Sequence, residues 1–153
     1  MSLFEIEVET AVSGVEAAKH DLVQAASQTL QQQGVALTIL LTDDTAIQAL
    51  NEQFRDEEKA TDVLSFPAGE PMPGMHTYLG DIVISWPFAK QQAEAAGHST
   101  EAEAQLLVVH GVLHLLGHDH AYANEKAAMW AAQTAVLQLL GLAHITPTES
   151  AHD

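Results

Sequence analysis

Residues 106–120 read LLVVHGVLHLLGHDH, and this stretch decides both the fold and the chemistry of the chain. Leucine and valine surround the first two histidines on almost every side of a helix. A helix that is apolar all round is buried in a soluble protein. Gly117 then interrupts the pattern, as glycine often does where a helix ends. The stretch therefore predicts a buried helix that carries histidines into the interior.

Three histidines in this stretch have the spacing of a metal site. His110 and His114 are four residues apart, which places them one turn apart on the same helix face. Gly117 allows the chain to turn back, so that His120 can approach as a third imidazole. An unpaired buried polar group costs about 1–3 kcal/mol, which a metal would offset. Three imidazoles and one open position are typical of catalytic zinc, so we predict one divalent metal ion per chain, most simply zinc.

Several polar residues near this site have more than one interpretation. His118 is a candidate fourth metal ligand, or a residue that contacts one of the metal-ligating histidines without binding the metal itself. Asp119 is a candidate for orienting a ligand imidazole, or it is a solvated turn residue. Asp81 follows a glycine inside a predicted strand, which indicates either a bulge or a close approach to the metal helix. Each of these three residues is a candidate general base, and the sequence does not decide between them. Asp62, by contrast, is expected to cap a turn through its carboxylate.

The rest of the chain alternates strand and helix patterns. Thr100 and Glu103 form a capping-box pattern that would open the central helix. The element order is β-α-β-α-β-β-α-α-α, and its four strands and five helices predict an α+β (mixed α/β) layer arrangement, while the order of the strands in the sheet stays open. The predicted strands cover residues 3–8, 35–41, 63–66 and 79–85, and the predicted helices cover about 15–34, 43–55, 85–97, 100–117 and 124–140.

Length and composition indicate a single domain. The chain has 153 residues, of which 3–142 are expected to form the ordered core and 145–153 a frayed tail. It contains no cysteine, which excludes disulfides, iron–sulfur sites and thiol nucleophiles. Neither a signal-like start nor an apolar run near ~20 residues is present, so we expect a soluble cytoplasmic protein without a membrane partner.

The charge balance is strongly acidic. Five lysines and arginines stand against 21 aspartates and glutamates, which gives a formal net charge of −16. A protein that binds nucleic acid by itself usually carries a basic patch, because phosphate neutralisation supplies most of its non-specific affinity. Composition alone therefore argues against a generic nucleic-acid binder.

The histidine spacing also fits one class of protease. Metzincin proteases use H-E-x-x-H-x-x-G-x-x-H, and the three histidines and the glycine of that pattern are present here. The glutamate, which is the general base in those enzymes, is replaced by Gly111. A metalloprotease-like hydrolase is therefore the less favoured interpretation.

Three ordered motifs resemble those of a known family. They are LNEQFR with ATDVLSFP at residues 50–55 and 60–67, LGDIVIS at 79–85, and HGVLHLLGHDH at 110–120. Over about residues 3–142 the chain resembles the YbeY family of bacterial endoribonucleases, whose usual pattern is H-G-x-L-H-L-x-G-x-D-H. Because three motifs occur together in order, the resemblance is specific.

The resemblance implies a function and a set of site residues. It implies metal-dependent cleavage of single-stranded RNA, in maturation of the 3′ end of small-subunit ribosomal RNA and in ribosome quality control. The metal ligands implied are His110, His114 and His120, and Arg55 matches an arginine of functional importance. A guanidinium group can donate two hydrogen bonds to one phosphate, so we predict a catalytic role for Arg55. In the alternative interpretation, Arg55 lies at the end of a helix and only interacts with the helix dipole. The partners implied are ribosomal RNA and the small ribosomal subunit, and the fold implied is a mixed sheet of about four strands with helices packed around it.

The chain departs from the family pattern at two positions and in its charge. His118 stands where tyrosine is usual, and Ala60 where proline is usual. Residues 51–62 hold Arg55 and Lys59 against five carboxylates, a local net charge of −3. We therefore expect weak binding to naked RNA, with delivery by the pre-ribosome or a protein partner. Tight binding to naked RNA at low salt would contradict this expectation.

A second function class is a non-catalytic ribosome-assembly factor stabilised by a metal. Its acidic surface would suit basic ribosomal proteins. A structural metal usually has four protein ligands, so His118 as a fourth ligand would favour this class, and an open position would favour the enzyme. The oligomeric state, the physiological metal and the cleavage site are left open by the sequence.

Overall fold

A computed structural model describes residues 4–30, 35–68, 77–118 and 122–145 of the chain. The elements follow one another in the predicted order, and a short 3-10 turn at Glu16–Ala18 precedes the first helix. They are β1 (Phe4–Thr10), α1 (Lys19–Leu30), β2 (Val35–Thr42), α2 (Asp44–Arg55), β3 (Val63–Pro67), β4 (Thr77–Ser85), α3 (Trp86–Ala96), α4 (Thr100–Leu115) and α5 (Ala123–Leu139).

The four strands form one mixed sheet in the order β1-β2-β4-β3. β2 pairs in parallel with both β1 and β4, whereas β3 pairs antiparallel with β4. Strand β3 therefore lies at one edge of the sheet. The α+β class, the mixed sheet of four strands and the five helices are confirmed.

Helix α4 is the central helix of the fold. From Ala102 to Leu113 every residue except Gln105 is buried, as the apolar pattern of the sequence predicts. α4 lies in one core with α1, α5 and side chains from the inner strands β2 and β4. Helix α2 lies on the other side of the sheet, where Ile47 packs in a second cluster with strand residues Leu64 and Val83.

The helix starts are set by side-chain caps. Asp43 accepts a hydrogen bond from Ala46 N at the start of α2, and Ser85 accepts one from Phe88 N at the start of α3. The cap of α4 lies one residue earlier than the capping box predicts, because Ser99 Oγ accepts from the backbone N–H of Ala102 at 3.1 Å.

Glu103 takes a different role from the predicted one. Its carboxylate contacts His98 Nε2 at 2.7 Å and accepts from Gln92 Nε2 at 3.3 Å, so that it joins α4 to α3. The side chain is buried, and these contacts satisfy a carboxylate that water does not reach.

Phe54 differs from the expectation for α2. Its spacing from Ile47 and Leu50 predicts one buried stripe, yet the Phe54 side chain is 59% exposed. Its ring makes an edge contact with Phe66 of β3, with 5.3 Å between ring centroids. Ile47 and Leu50 pack against the sheet, whereas Phe54 lies near the end of α2 at the edge of the sheet and stays largely exposed.

Replacing Gly80 with alanine is expected to lower the free energy of unfolding by about 4 kcal/mol, from backbone strain and overpacking together. Gly80 lies beside an irregularity in the β2–β4 pairing, and its backbone has φ 143°, a value that residues other than glycine rarely adopt. A Cβ there would also overlap the Phe66 carbonyl oxygen.

Urea denaturation of the Gly80 variant measures this loss, and Gly14 offers a matched control. Gly14 has φ 79°, but a Cβ there meets open space, so Gly14→Ala should cost only about 1–2 kcal/mol. Equal losses for the two variants would contradict the overlap at Gly80.

The described chain stays packed at its C-terminal end. Ile145, which the sequence pattern assigns to the tail, is buried in a cluster with Ala102, Leu106 and Leu137. The remainder of the predicted tail, at 146–153, lies outside the described residues, as does Gly34. No helix in the described ranges is long and apolar enough to cross a membrane.

Candidate metal centre

His110 and His114 face each other on α4. Their Nε2 atoms are 3.1 Å apart, and their ring centroids are separated by 4.7 Å. His110 is 1% exposed, whereas His114 is part-buried. The four-residue spacing therefore places both imidazoles at one point, as the sequence predicts.

The partners of the Nδ1 atoms fix which nitrogen of each ring carries the proton. His114 Nδ1 lies 3.0 Å from the backbone carbonyl oxygen of His118, which can only accept. His110 Nδ1 lies 2.7 Å from Gln133 Oε1, which also accepts. A ring that donates from Nδ1 to such an acceptor has an unprotonated Nε2, and the Nε2 atoms of the two rings face each other.

This pair fits a divalent metal ion. Two lone pairs 3.1 Å apart repel each other unless a cation or a proton lies between them. Two nitrogen ligands of a tetrahedral zinc, each at about 2.0–2.1 Å, lie about 3.3 Å apart, which is close to the observed separation. The spacing of the two nitrogens therefore fits two ligands of one metal ion.

The third predicted ligand, His120, and the neighbouring Asp119 lie outside the described residues. Within the described ranges, no three His, Cys, Asp or Glu side chains are grouped so that they could hold a metal. The role of His120 as a ligand therefore stays a prediction.

The histidine pair opens into a cleft that also contains Arg55. The cleft has a volume of about 370 Å³. Arg55 is the last residue of α2, and its side chain is exposed at the surface of the cleft. The lining residues are Arg55, Val63, Ser65, Pro67, His110, His114, Leu115, Gly117 and His118.

Edge strand β3 forms one wall of this cleft. Its alternation directs Val63, Ser65 and Pro67 toward the cleft, and directs Leu64 and Phe66 to the opposite face, where α2 packs. Ser65 Oγ lies 3.5 Å from the carbonyl oxygen of Gly111 on α4, at the limit of a hydrogen bond. Because α2 ends beside the edge strand, Arg55 reaches the side of the sheet that carries the histidines.

Gly111 cannot serve the role that glutamate has in the metzincin pattern. A Cβ at this position would lie 3.1–3.2 Å from three side-chain carbons of Ile82. The position faces the sheet, where α4 packs closely on β4, and not the cleft. A protease-like general base has no place there.

Asp81 and Asp62 are not brought to the histidines as reacting groups. Asp81 lines a groove on the sheet face opposite α4, with Val83 and Phe66, and its Oδ1 accepts from Tyr78 Oη at 2.6 Å. Partial burial, followed by this hydrogen bond, raises the pKa of Tyr78. Asp62 is fully buried, and its Oδ1 accepts from the N–H of Val63 at 2.8 Å, as expected of a turn cap.

Gln133 is a site residue that the sequence motifs did not single out. It lies on α5, is fully buried, and accepts from His110 through Oε1. A signal was present in the sequence, since Gln133 interrupts an otherwise apolar stripe that includes Met129 and Val136. A buried amide in such a stripe needs a polar partner.

The chain is similar to a known family along most of its length. The family described as Endoribonuclease YbeY matches residues 5–141. Endoribonuclease YbeY of Nautilia profundicola is 51% identical over 106 residues, which cover 69% of this chain and 73% of that protein. Endoribonuclease YbeY of Carboxydothermus hydrogenoformans is 44% identical over 123 residues, which cover 79% and 85%.

The fold also has a counterpart among solved structures. The solution structure of a target protein from Thermotoga maritima superposes with a TM-score of 0.53 and covers 94% of this chain and 97% of that one. The two sequences are 23% identical, so this likeness bears on the fold alone.

Proposed function

The chain belongs to the endoribonuclease YbeY family, and we propose that it cleaves single-stranded RNA with one divalent metal ion held by His110, His114 and His120. Endoribonucleases hydrolyse phosphodiester bonds inside an RNA chain, so the protein is a hydrolase with RNA as its substrate. The observation that supports the metal proposal is the pair of Nε2 atoms of His110 and His114, which lie 3.1 Å apart.

The histidines hold the metal, and the cleft leaves space beside it. A divalent metal bound there would lower the pKa of a water ligand to roughly 7 and polarise a phosphoryl oxygen. Zinc is favoured because imidazole nitrogen suits it. The open cleft beside the histidine pair supports a catalytic metal rather than one enclosed by four protein ligands.

Arg55 supplies a second positive charge on the other side of the cleft. A guanidinium donates two parallel hydrogen bonds to a phosphate, which fixes the orientation of the scissile group as well as its charge. The position of Arg55 at the end of α2, in the same cleft as His110 and His114, supports this role.

Proton transfer has two routes in this cleft. The His118 imidazole lines the cleft and is the described side chain best suited to accept a proton there. In the other route the 2′-hydroxyl of the RNA gives up its proton and attacks the adjacent phosphorus. The bond from phosphorus to the 5′-oxygen breaks, and this oxygen takes up a proton, so that one product ends in a 2′,3′-cyclic phosphate and the other in a 5′-hydroxyl. The chemistry of the 3′ ends separates this route from direct attack by water.

The biological substrate that we propose is the immature 3′ end of small-subunit ribosomal RNA, with a further role in ribosome quality control. Around Arg55, the side chains of Glu52, Asp56, Glu57 and Glu58 are all exposed and acidic. They oppose binding of naked RNA, which supports delivery within the small subunit, in part through basic ribosomal proteins. This substrate implies a cytoplasmic location.

Removal of the metal is expected to abolish cleavage of a small-subunit RNA fragment that carries its immature 3′ end. The protein is treated with a chelator, dialysed, and assayed before and after zinc is restored. Cleavage that disappears with the chelator and returns with zinc supports the proposal. Cleavage that persists in metal-free protein overturns the metal-dependent mechanism. No cleavage in any sample, on the fragment or on immature small subunits, favours the non-catalytic assembly factor.

A further inference from the structure

Asn51 is a fully buried polar residue that lies one helical turn before Arg55 on α2. Its Nδ2 atom donates to the backbone carbonyl oxygen of Lys59 at 3.0 Å. A carbonyl oxygen can only accept, so the amide presents Nδ2 there, and Oδ1 has no donor within the described part of the chain. A buried amide with an unpaired oxygen is unfavourable for stability, so the bond to Lys59 is the feature that accounts for Asn51.

The chain reverses its direction immediately after Arg55. Asp56 has φ 58°, the left-handed conformation that glycine usually supplies at the end of a helix. The backbone N–H of Glu57 then donates to the carbonyl oxygen of Asn51 at 3.3 Å. The segment 56–59 therefore folds back along the last turn of α2, and Asn51 holds it through its backbone as well as through its side chain.

The side chains of the segment 56–59 lie in solvent. All four residues are exposed, and the ion pair between Lys59 and Glu57 lies at the surface. A turn of this kind is held by its backbone hydrogen bonds, and Asn51 connects those bonds to the core. The same segment leads into β3, the strand that forms one wall of the cleft. Asn51 therefore fixes the path of the chain between Arg55 and that wall.

We propose that Asn51 is a positioning residue for Arg55: it holds the segment 56–59 against α2, and so fixes the end of the helix from which the arginine enters the cleft. The inference rests on the proposed role of Arg55 in binding the scissile phosphate. A guanidinium must keep one orientation to donate two parallel hydrogen bonds to a phosphate, and a small displacement loses much of its effect. The contribution of Asn51 therefore lies in the order of Arg55 and in catalysis, and not in stability.

Arg55 is the only arginine among the 153 residues, so its order can be measured directly. Protein labelled with nitrogen-15 arginine gives one backbone amide signal and one side-chain Nε–H signal, and both belong to Arg55. The backbone order parameter should be about 0.85 in the wild type and should fall below about 0.6 in Asn51→Leu, and that of Nε–H should fall with it. Gln48→Leu, which replaces an exposed amide on the same helix, should leave both values unchanged.

A double-mutant cycle measures whether Asn51 acts on RNA cleavage through Arg55. Asn51→Leu should lower kcat/KM by about 10–100-fold, as when a reacting group is misplaced by about 1 Å. In an Arg55→Ala background the same substitution should change kcat/KM by less than about twofold, because the group that Asn51 positions is already absent. The midpoint of urea denaturation should not fall, since leucine leaves no unpaired buried oxygen. If Asn51→Leu fails to fold, Asn51→Ala takes its place in each measurement.

The outcomes separate this proposal from the proposed function. If the wild type cleaves no RNA, the proposed function is overturned, and the order parameters alone decide whether Asn51 holds Arg55. If the wild type cleaves RNA and Asn51→Leu leaves Arg55 as ordered as before, only the positioning role is overturned. An equal loss of kcat/KM with and without Arg55 would also overturn it, because Asn51 would then act through the fold as a whole.

Discussion

Replacing His114 with alanine is expected to remove the proposed metal and to lower RNA cleavage by at least about a thousandfold, since a metal contributes several kcal/mol of charge stabilisation and each 1.4 kcal/mol is tenfold in rate. The variant loses one of the two Nε2 atoms that face each other across 3.1 Å. The two ligands that would remain, His110 and the predicted His120, are expected to hold a divalent ion too weakly to retain it during dialysis. Metal content by mass spectrometry and the rate of cleavage should therefore fall together.

His20→Ala is the matched control for this substitution. His20 is an exposed residue on α1, so the same change in residue type occurs outside the core. It should leave metal content and cleavage unchanged. The His114→Ala protein also gives the background from contaminating nucleases, because it is purified in the same way. A folded His114→Ala variant that keeps its metal and its activity would show that the site is assigned wrongly.

The parts of the fold that could be predicted are those that depend on local sequence. α4 was recognisable because a helix with apolar residues on all sides must be buried, and the histidine pair because four-residue spacing brings two side chains onto one face. Both properties belong to a single element. They do not require knowledge of which elements pack against it.

The parts that could not be predicted depend on contacts between distant elements. β4 pairs with both β2 and β3, an arrangement set by packing of the whole sheet. Phe54 has the spacing of a buried residue, yet α2 ends at the edge of the sheet and leaves the ring half in solvent. Gly111 has the position of a general base in one protease pattern, and only the approach of Ile82 shows that it faces away from the cleft.

The site lies where a buried element meets an edge of the sheet. α4 supplies histidines that are held rigidly by core packing, and Gln133 and the His118 carbonyl fix their rings. Edge strand β3 has no neighbour beyond it within the described residues, so the cleft beside it is accessible to a long polymer. A rigid histidine pair in an accessible cleft suits the proposed cleavage inside an RNA chain.

Replacing Arg55 with alanine should lower kcat/KM by about 100–1,000-fold while the metal content stays unchanged, as when one donor to a developing negative charge is removed. Arg55 lines the cleft with His110 and His114 but lies on a different element, so its loss does not disturb the histidine pair. Arg55→Lys should recover only part of the activity, because an ammonium group lacks the paired donors of a guanidinium. Steady-state kinetics and metal analysis on the same samples measure both quantities.

Lys59→Ala separates a specific role of Arg55 from the general effect of charge. Lys59 is an exposed cation four residues further along the chain, and its Nζ lies 3.6 Å from a carboxylate oxygen of Glu57. Both substitutions remove one positive charge from the same acidic segment, so both increase the long-range repulsion of RNA to a similar extent. Of these two residues, only Arg55 lines the cleft. The surface ion pair of Lys59 contributes little to stability, so its loss should not disturb the fold. If Lys59→Ala reduced cleavage as much as Arg55→Ala, Arg55 would act through net charge and not by contact with the phosphate.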